Sequence, residues 1–355
     1  MVYRDSHRAH DRLVRQLPET LATVLGISPG EIKAVPAAKA PSADAIFTAL
    51  QRTFVVEFRQ TTSAASIAFA AKQVREWSSR MRGPVVPLVA VPFMGEVGKQ
   101  ACADAGVSWL DLSGNAHIVA GTLRIHFEGR PNRFRSAGRP ADVFAAKSAR
   151  VVRWLLMHPD QFLSQREIAR STSMNEGFVS RIVARLEREN YVVRGEQSGV
   201  RPRDPGLLLE AWRERYDFSK HHIIRGHVAA RSGDALLRSI AEALDEEKAE
   251  YAATGLAAAW VFSGFAAFQL TTIYVADDPA AALLHRLAFR EEPRGANLWF
   301  VVPKDAGVFQ GGVVEKGVRC VHPVQAYLDL KSQPERAAEA ADRLQAERLT
   351  WTRNA

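Results

Sequence analysis

The segment SQREIARSTSMNEGFVSRIVARLERENYVVR, Ser164–Arg194, decides how the middle of this 355-residue chain is read. Ser164 followed by Glu167 is a capping box, in which each side chain satisfies an orphan backbone N–H at a helix start. It predicts a short helix from Gln165 to Arg170 that exposes Arg166 and buries Ile168 and Ala169. The run STSM breaks that helix, and Asn175 is a good N-cap for the next. In the second helix Phe178, Ile182 and Leu186 recur at four-residue spacing, and Val179 and Val183 widen the stripe. The opposite side carries Glu176, Gly177, Ser180, Arg181, Ala184 and Arg188, with Arg185 near the border. One face is apolar; the other is small and cationic. Such a helix suits a DNA major groove, where small residues permit close approach and arginine meets a guanine edge or a phosphate.

Beyond it, YVVR (Tyr191–Arg194) and the stretch Val200–Arg203 predict a two-stranded wing with Gly195 and Gly199 in its turn. Helix, turn, helix and wing in this order resemble the winged helix-turn-helix domains, whose recognition helix ends in an "LE…G-hydrophobic-V" phrase. Here the phrase is LERENYVV, with Asn190 where many members carry glycine, and asparagine tolerates the left-handed conformation. The resemblance implies that Asn175, Gly177, Ser180, Arg181 and Arg185 position or read DNA, while Gln165, Arg166, Arg201 and Arg203 hold phosphates. Ser173 completes the DNA-facing set. The competing reading of the same fold is a winged helix used only for protein contact or dimerisation.

The rest of the composition agrees with a polyanion partner. The formal charge is +8 and the pI about 9.7, and between Val143 and Arg203 basic residues outnumber acidic ones. A basic surface attracts nucleic acid through long-range attraction and counterion release. No window approaches a membrane helix and the amino terminus is polar and mixed in charge, so the chain is read as cytoplasmic. Cys102 and Cys320 lie far apart without partners at ligand spacing, and the adjacent pair His221 and His222 is read as polar linker, so no metal or cofactor is inferred.

The length suggests two or three domains, taken as 1–140, 141–216 and 217–355. In the first, FVVEFRQ, VVPLVAVP, VSWLDL and LRIHFEG read as strands and SIAFAAKQVREWSSRM and GEVGKQACADAG as helices, an α/β order with a mixed sheet. Arg130–Pro140, with four arginines and no acid, reads as a linker. In the last, YAATGLAAAWVFSGF reads as one alanine-rich helix, followed by the strand TTIYVA, the helix PAAALLHRLAF, the strands NLWFVVP and GVRCVHP and two further helices. The helix around Tyr327, Leu328 and Leu330 reads as ordinary core packing, with a contact surface as the alternative.

Asp44 with Glu57 and Arg59 resembles the Asp and Glu-x-Lys pattern of the restriction-endonuclease-like fold, except that arginine, a poor substitute in that role, replaces lysine. GVSWLDLSGNAHI (Gly106–Ile118) reads as a hairpin in which Asp111 bonds the turn backbone, with Gly114 and Asn115 suited to positive φ. This phrase, with IHFEGRPN, YAATGLAAA and VHPVQAYLDL, resembles the AbiEi-type antitoxin and transcriptional regulators. That resemblance implies a multidomain α/β chain: a degenerate restriction-endonuclease-like domain, a central winged helix and a nucleotidyltransferase-like carboxy-terminal domain that lacks paired catalytic acids. It implies a regulator rather than an enzyme, with DNA as partner, a cognate toxin or effector as a second one, and a homodimer suited to a palindromic site. Two alternatives stay open: a metal-dependent nuclease using Asp44 and Glu57, and a single-strand binder stacking bases on Trp109, His117 or His126.

Overall fold

The computed structural model describes residues 13–35, 43–60, 62–134, 142–195, 199–265, 267–292 and 294–351. The chain divides into two compact units, Met1–Pro140 with Leu186–Tyr191, and Ala141–Arg185 with Val192–Ala355.

In the first unit, helix α1 (Leu17–Leu25) precedes seven strands that lie side by side in chain order. They are β1 (Lys33–Ala34), β2 (Ala45–Ala49), β3 (Arg52–Phe58), β4 (Val85–Val91), β5 (Ser108–Asp111), β6 (Ala116–Ala120) and β7 (Leu123–Phe127). The central β3, β4 and β5 are parallel and the remaining neighbours antiparallel. Parallel neighbours need crossovers, supplied by α2 (Ala64–Ser79) and α3 (Glu96–Asp104). Side-chain alternation then makes two cores. Phe54, Val56, Phe58, Leu88, Leu110 and Ile118 pack with Leu17, Leu21 and Val24 of α1, whereas Val55, Val89, Val91 and Trp109 pack with Ile67, Ala70 and Val74 of α2. Each such large side chain contributes roughly 1.5–3 kcal/mol on burial.

The second unit opens with α4 (Ala149–Met157), α5 (Gln165–Ser171), α6 (Glu176–Arg188), whose last residues from Leu186 on belong to the first unit, the two-stranded ladder of β8 (Val192–Arg194) and β9 (Val200–Pro202), and α7 (Pro205–Arg215). A seven-stranded sheet follows, made by β10 (His222–His227), β11 (Tyr251–Thr254), β12 (Thr271–Val275), β13 (Arg290–Glu291), β14 (Leu298–Val302), β15 (Val313–Glu315) and β16 (Val318–Cys320). Its order is β13-β10-β14-β12-β11-β16-β15, parallel at β14 with β12 and at β11 with β16. Helices α8 (Gly233–Glu246), α9 (Gly255–Ser263), α10 (Ala281–Arg286), α11 (Pro323–Leu330) and α12 (Ala337–Arg348) complete it.

Two expectations change here, for YAATGLAAAWVFSGF and for the stretch from Arg130, while the core reading of the helix around Tyr327 holds. YAATGLAAAWVFSGF is not one helix: Tyr251–Thr254 is a fully buried strand, and α9 starts at Gly255, whose φ of +58° divides the two. A Cβ at Gly255 would lie 2.0 Å from the Gln333 amide, which accepts the Leu256 N–H at 2.8 Å and so ties down the helix start. Tyr327, Leu328 and Leu330 of α11 are buried, so they serve the core and not a contact surface. The stretch Arg130–Phe134 is not a free linker, because Asn115 Oδ1 accepts the Arg130 N–H at 2.8 Å and Ser113 Oγ accepts the Arg133 N–H at 3.3 Å. The remainder of that stretch lies outside the described residues.

Candidate nucleic-acid interface

Helix α5 begins as its sequence requires, with the Ser164 hydroxyl accepting the Glu167 N–H at 3.1 Å. Ile168 and Ala169 face inward and Arg166 outward, its guanidinium 3.8 Å from the Glu176 carboxylate on α6. Both side chains are largely exposed, so this pair is worth little in stability. The helix closes on Ser173, which takes the left-handed conformation at φ +52°, with the Met174 N–H bonded to Ala169 O at 2.9 Å. Asn175 then caps α6, its Oδ1 accepting the Gly177 N–H at 2.9 Å.

Along α6 the two faces separate as the periodicity predicts. Val179, Ile182, Val183 and Leu186 are buried. Gly177, Ser180, Arg181, Ala184 and Arg188 are exposed and Arg185 is half-buried. Phe178 departs from the stripe: it is half-buried, with the Lys147 ammonium and the Arg181 guanidinium 5.9 and 5.7 Å from its ring centre. An aromatic face among cations holds them by its quadrupole, which limits the swing of Arg181. Asn190 ends the helix at φ +61°, with the Tyr191 N–H bonded to Leu186 O at 2.8 Å, as its place in LERENYVV predicts.

The wing pairs Val192 with Pro202, Val193 with Arg201 and Arg194 with Val200, and Leu163 adds a third strand-like bridge to Val200. Residues 196–198 of its tip lie outside the described residues. Gly195 and Gly199 serve a purpose beyond the turn, since a Cβ at either would come within about 3 Å of Phe162. Arg201 is likewise not a free wing-tip cation. Its guanidinium lies 4.8 Å from the Phe162 ring centre and its Nε is buried without a hydrogen-bond partner among the described residues, so stacking holds this group at the wing base. Arg203 is exposed, and Gln165 is half-buried at the first position of α5.

Arg188, placed by the sequence on the cationic face but without a named contact, and Arg170, not expected at the interface, are both exposed. Arg188 lies two helical turns beyond Arg181 on the same face, and that spacing was the available signal. Arg150 was also missed; its Nη1 donates to Thr172 O at 3.4 Å at the turn between α5 and α6.

The other candidate groups fall elsewhere. In the first unit Asp44, Glu57 and Arg59 do come together: the Arg59 guanidinium pairs with Glu57 and stands 3.6 Å from Asp44, and Asp44 Oδ2 accepts the Phe58 N–H at 2.9 Å. Burial raises the Glu57 carboxyl to about 7, against the lowering by Arg59. Among the described residues no group of three or more metal-ligating side chains is found. Trp109 is buried in the α2 core, where no base can stack on it. His117 and His126 face each other across β6 and β7, with their Nδ1 atoms 3.1 Å apart. Asp111 does bond the turn, accepting the Asn115 N–H at 2.9 Å; Gly114 has φ +98°, but Asn115 does not take a positive angle. His221 lies among the hydroxyls of Tyr216 and Tyr274, and His222 stands 3.5 Å from Asp278, so the adjacent histidines share no site.

Residues 145–201 match the MarR family. The match covers α4 through β9, a winged helix-turn-helix, and supports a DNA-binding transcriptional regulator. No curated protein and no solved structure matches the chain. Among the described residues no helix is long and apolar enough to cross a membrane.

Proposed function

We propose that this chain is a sequence-specific transcriptional regulator that lays α6 in the major groove of duplex DNA and sets the wing against the adjacent backbone. The observation that carries the reading is the exposed face Gly177, Ser180, Arg181, Ala184 and Arg188, small enough for close approach and cationic at two levels. Asn175, Ser180, Arg181 and Arg185 read or position bases; Gln165, Arg166, Ser173 and Arg203 hold phosphates. The finer reading is an antitoxin-type repressor acting beside a toxin gene, binding as a homodimer, and it rests on the phrases LDLSGNAHI and VHPVQAYLDL.

Selection of bound duplexes from a random pool tests this. A recurrent motif with two half-sites is expected, and Arg181→Ala with Arg185→Ala should weaken binding to it by about 1–3 kcal/mol for each arginine that bonds a base edge. A pool without enrichment, or a double variant with unaltered affinity at physiological salt, removes α6 from the interface.

The nuclease reading is the weaker one. The Arg59 guanidinium occupies the space between Asp44 and Glu57 that a divalent ion would need. Plasmid cleavage with Mg²⁺ or Mn²⁺ that is lost in Glu57→Ala would reinstate it.

A further inference from the structure

The turn Asp111–Asn115 is built more firmly than a hairpin needs. Asp111 is fully buried, and its Oδ2 accepts the Asn115 Nδ2 at 2.9 Å and the Met94 N–H at 3.2 Å. Thus oriented, Asn115 grips both backbone groups of Arg130, its Oδ1 accepting the N–H at 2.8 Å and its Nδ2 donating to the carbonyl at 3.1 Å. Arg133 is held three residues later, with its N–H on Ser113 Oγ and its Nη2 donating to Leu112 O at 2.8 Å. Gly114 leaves the space above the turn open: a Cβ there would sit 2.2 Å from Arg130 Nη1. A connected run of hydrogen bonds therefore fixes the backbone of Arg130 and both the backbone and the guanidinium of Arg133 at one place, with both side chains exposed to an incoming ligand.

That place is a cavity of about 220 Å³, walled by Arg130, Arg133 and Gly114 on one side and by Gln16, Glu19 and Thr23 on the side of α1. Neither arginine forms an ion pair among the described residues, and Arg130 instead rests 5.8 Å from the Phe127 ring centre. Two guanidiniums at one concave site, that of Arg133 held by Leu112 O and neither paired with a carboxylate among the described residues, are an arrangement that a tetrahedral dianion satisfies. The volume is below the roughly 300–1,000 Å³ of pockets that enclose a drug-sized molecule, so the cavity admits one phosphoryl group. A duplex backbone is convex and presents diesters of single charge, which fit it poorly. We propose that this cavity binds a phosphomonoester, either inorganic phosphate or the terminal phosphate of a small organic molecule such as a nucleotide. Glu19, the one acid in the wall among the described residues, repels a bare anion and can accept a hydrogen bond from a hydroxyl or amino group beside the phosphate.

Isothermal titration of the full chain in chloride buffer, with inorganic phosphate, adenosine 5′-monophosphate and adenosine as separate probes, tests the proposal. Saturable binding of at least one phosphate and none of adenosine is expected; binding of the nucleotide above that of inorganic phosphate identifies an organic ligand, and the reverse identifies the free anion. Arg130→Gln, whose side chain bonds no backbone group, should lower the affinity about tenfold or more. Glu19→Gln should raise the affinity for inorganic phosphate. Absence of saturable binding by either phosphate, equal binding of adenosine and its monophosphate, or wild-type phosphate affinity in both variants with an unchanged circular dichroism spectrum overturns it. None of these outcomes depends on DNA binding by α6.

Discussion

Arg150 on α4 and Asp305, 155 residues later, meet as a two-point pair, Nε to Oδ1 at 2.7 Å and Nη2 to Oδ2 at 3.1 Å. Asp305 Oδ1 also accepts the Gly307 N–H at 2.8 Å, while Arg150 reaches Thr172 O at the turn between α5 and α6. Gln310 adds a bond to Ser171 O at 3.4 Å. The connection between β14 and β15 and the helix-turn-helix thus share polar contacts at the turn that sets the pitch between α5 and α6. Asp305→Ala is expected to lower the stability of the second unit by about 1–3 kcal/mol, the usual range when a partly buried charge-assisted bond is cut. Because Arg150 then loses its anchor, affinity for the selected duplex should fall as well, with Asp305→Asn in between. Urea unfolding beside a gel-shift titration of the three proteins checks both halves; a stability loss with undiminished DNA affinity confines the pair to a structural role.

A second polar cluster gives a pH dependence whose sign follows from burial. Asp329 is fully buried and accepts from Tyr216 at 2.5 Å, Thr254 at 2.5 Å, Gln325 at 2.8 Å and Tyr274 at 3.1 Å. Burial still raises its carboxyl to about 6, against the lowering by these donors. His221 and His322 move the other way, to about 4, through burial and the nearby Arg153 guanidinium. A raised carboxyl contributes stability that is present below the ordinary acid range and is lost as pH rises through about 6. A depressed histidine contributes stability that is present above 6.5 and is lost as pH falls through about 4. The two trends oppose each other between pH 4 and 6.5, and removing the histidines should expose the carboxylate trend. The stability of His221→Gln/His322→Gln relative to wild type is therefore expected to rise as pH falls from 6.5 to 4. Urea midpoints across that window measure it, and a constant difference would show that neither ring is held neutral.

The two faces of α6 were legible because an apolar period of 3.6 needs no tertiary information, and Asn190 was legible because few residues other than glycine end a helix at positive φ. Tyr251–Thr254 was not, because its alanines favour helix locally and only pairing with the neighbours β12 and β16 overrides that preference. The stacking of Arg201 was not legible for a related reason: its partner Phe162 lies far back along the chain and carries no local mark. Arg130 and Arg133 looked like linker because the groups that pin them, Asn115 and Ser113, precede them by 15 and 20 residues. Local patterns gave the elements and their faces. Long-range side-chain bonds assigned the arginines.

Ser173 holds φ +52° at the end of α5, a conformation that is unfavourable by roughly 1–2 kcal/mol for a residue with a Cβ. Its hydroxyl is exposed, so Ser173→Gly removes this strain without emptying any core space. Part of the gain is offset by the greater freedom of glycine in the unfolded chain, leaving an expected increase of up to about 1 kcal/mol. If Ser173 also holds a phosphate, the same variant should bind duplex more weakly while unfolding at higher urea. Movement of both quantities in one direction would remove Ser173 from the DNA-facing set.

The wing offers the most discriminating pair of substitutions, because its two glycines meet Phe162 differently. At Gly195 an added Cβ would lie 2.8 Å from the ring edge, and Phe162 is about half exposed, so the ring has room to turn away. At Gly199 the added Cβ would lie 3.1 Å from the carbonyl carbon, the carbonyl oxygen and Cβ of Phe162, which belong to or adjoin the backbone, and the following residue Val200 bridges to Leu163 in both directions at 2.9 and 2.8 Å. Relief there requires the β9 strand to shift against Leu163 and to lengthen those two bonds. Gly199→Ala is therefore expected to destabilise the second unit by about 1–3 kcal/mol, within the range for overpacking a fitted site, and Gly195→Ala by less. Since Arg201 stacks on the same ring, both variants should release its guanidinium, and fluorescence-monitored unfolding together with the salt dependence of duplex affinity separates the two effects. A Gly199→Ala protein as stable as wild type would mean that the wing base yields more readily than its bridge to Leu163 implies.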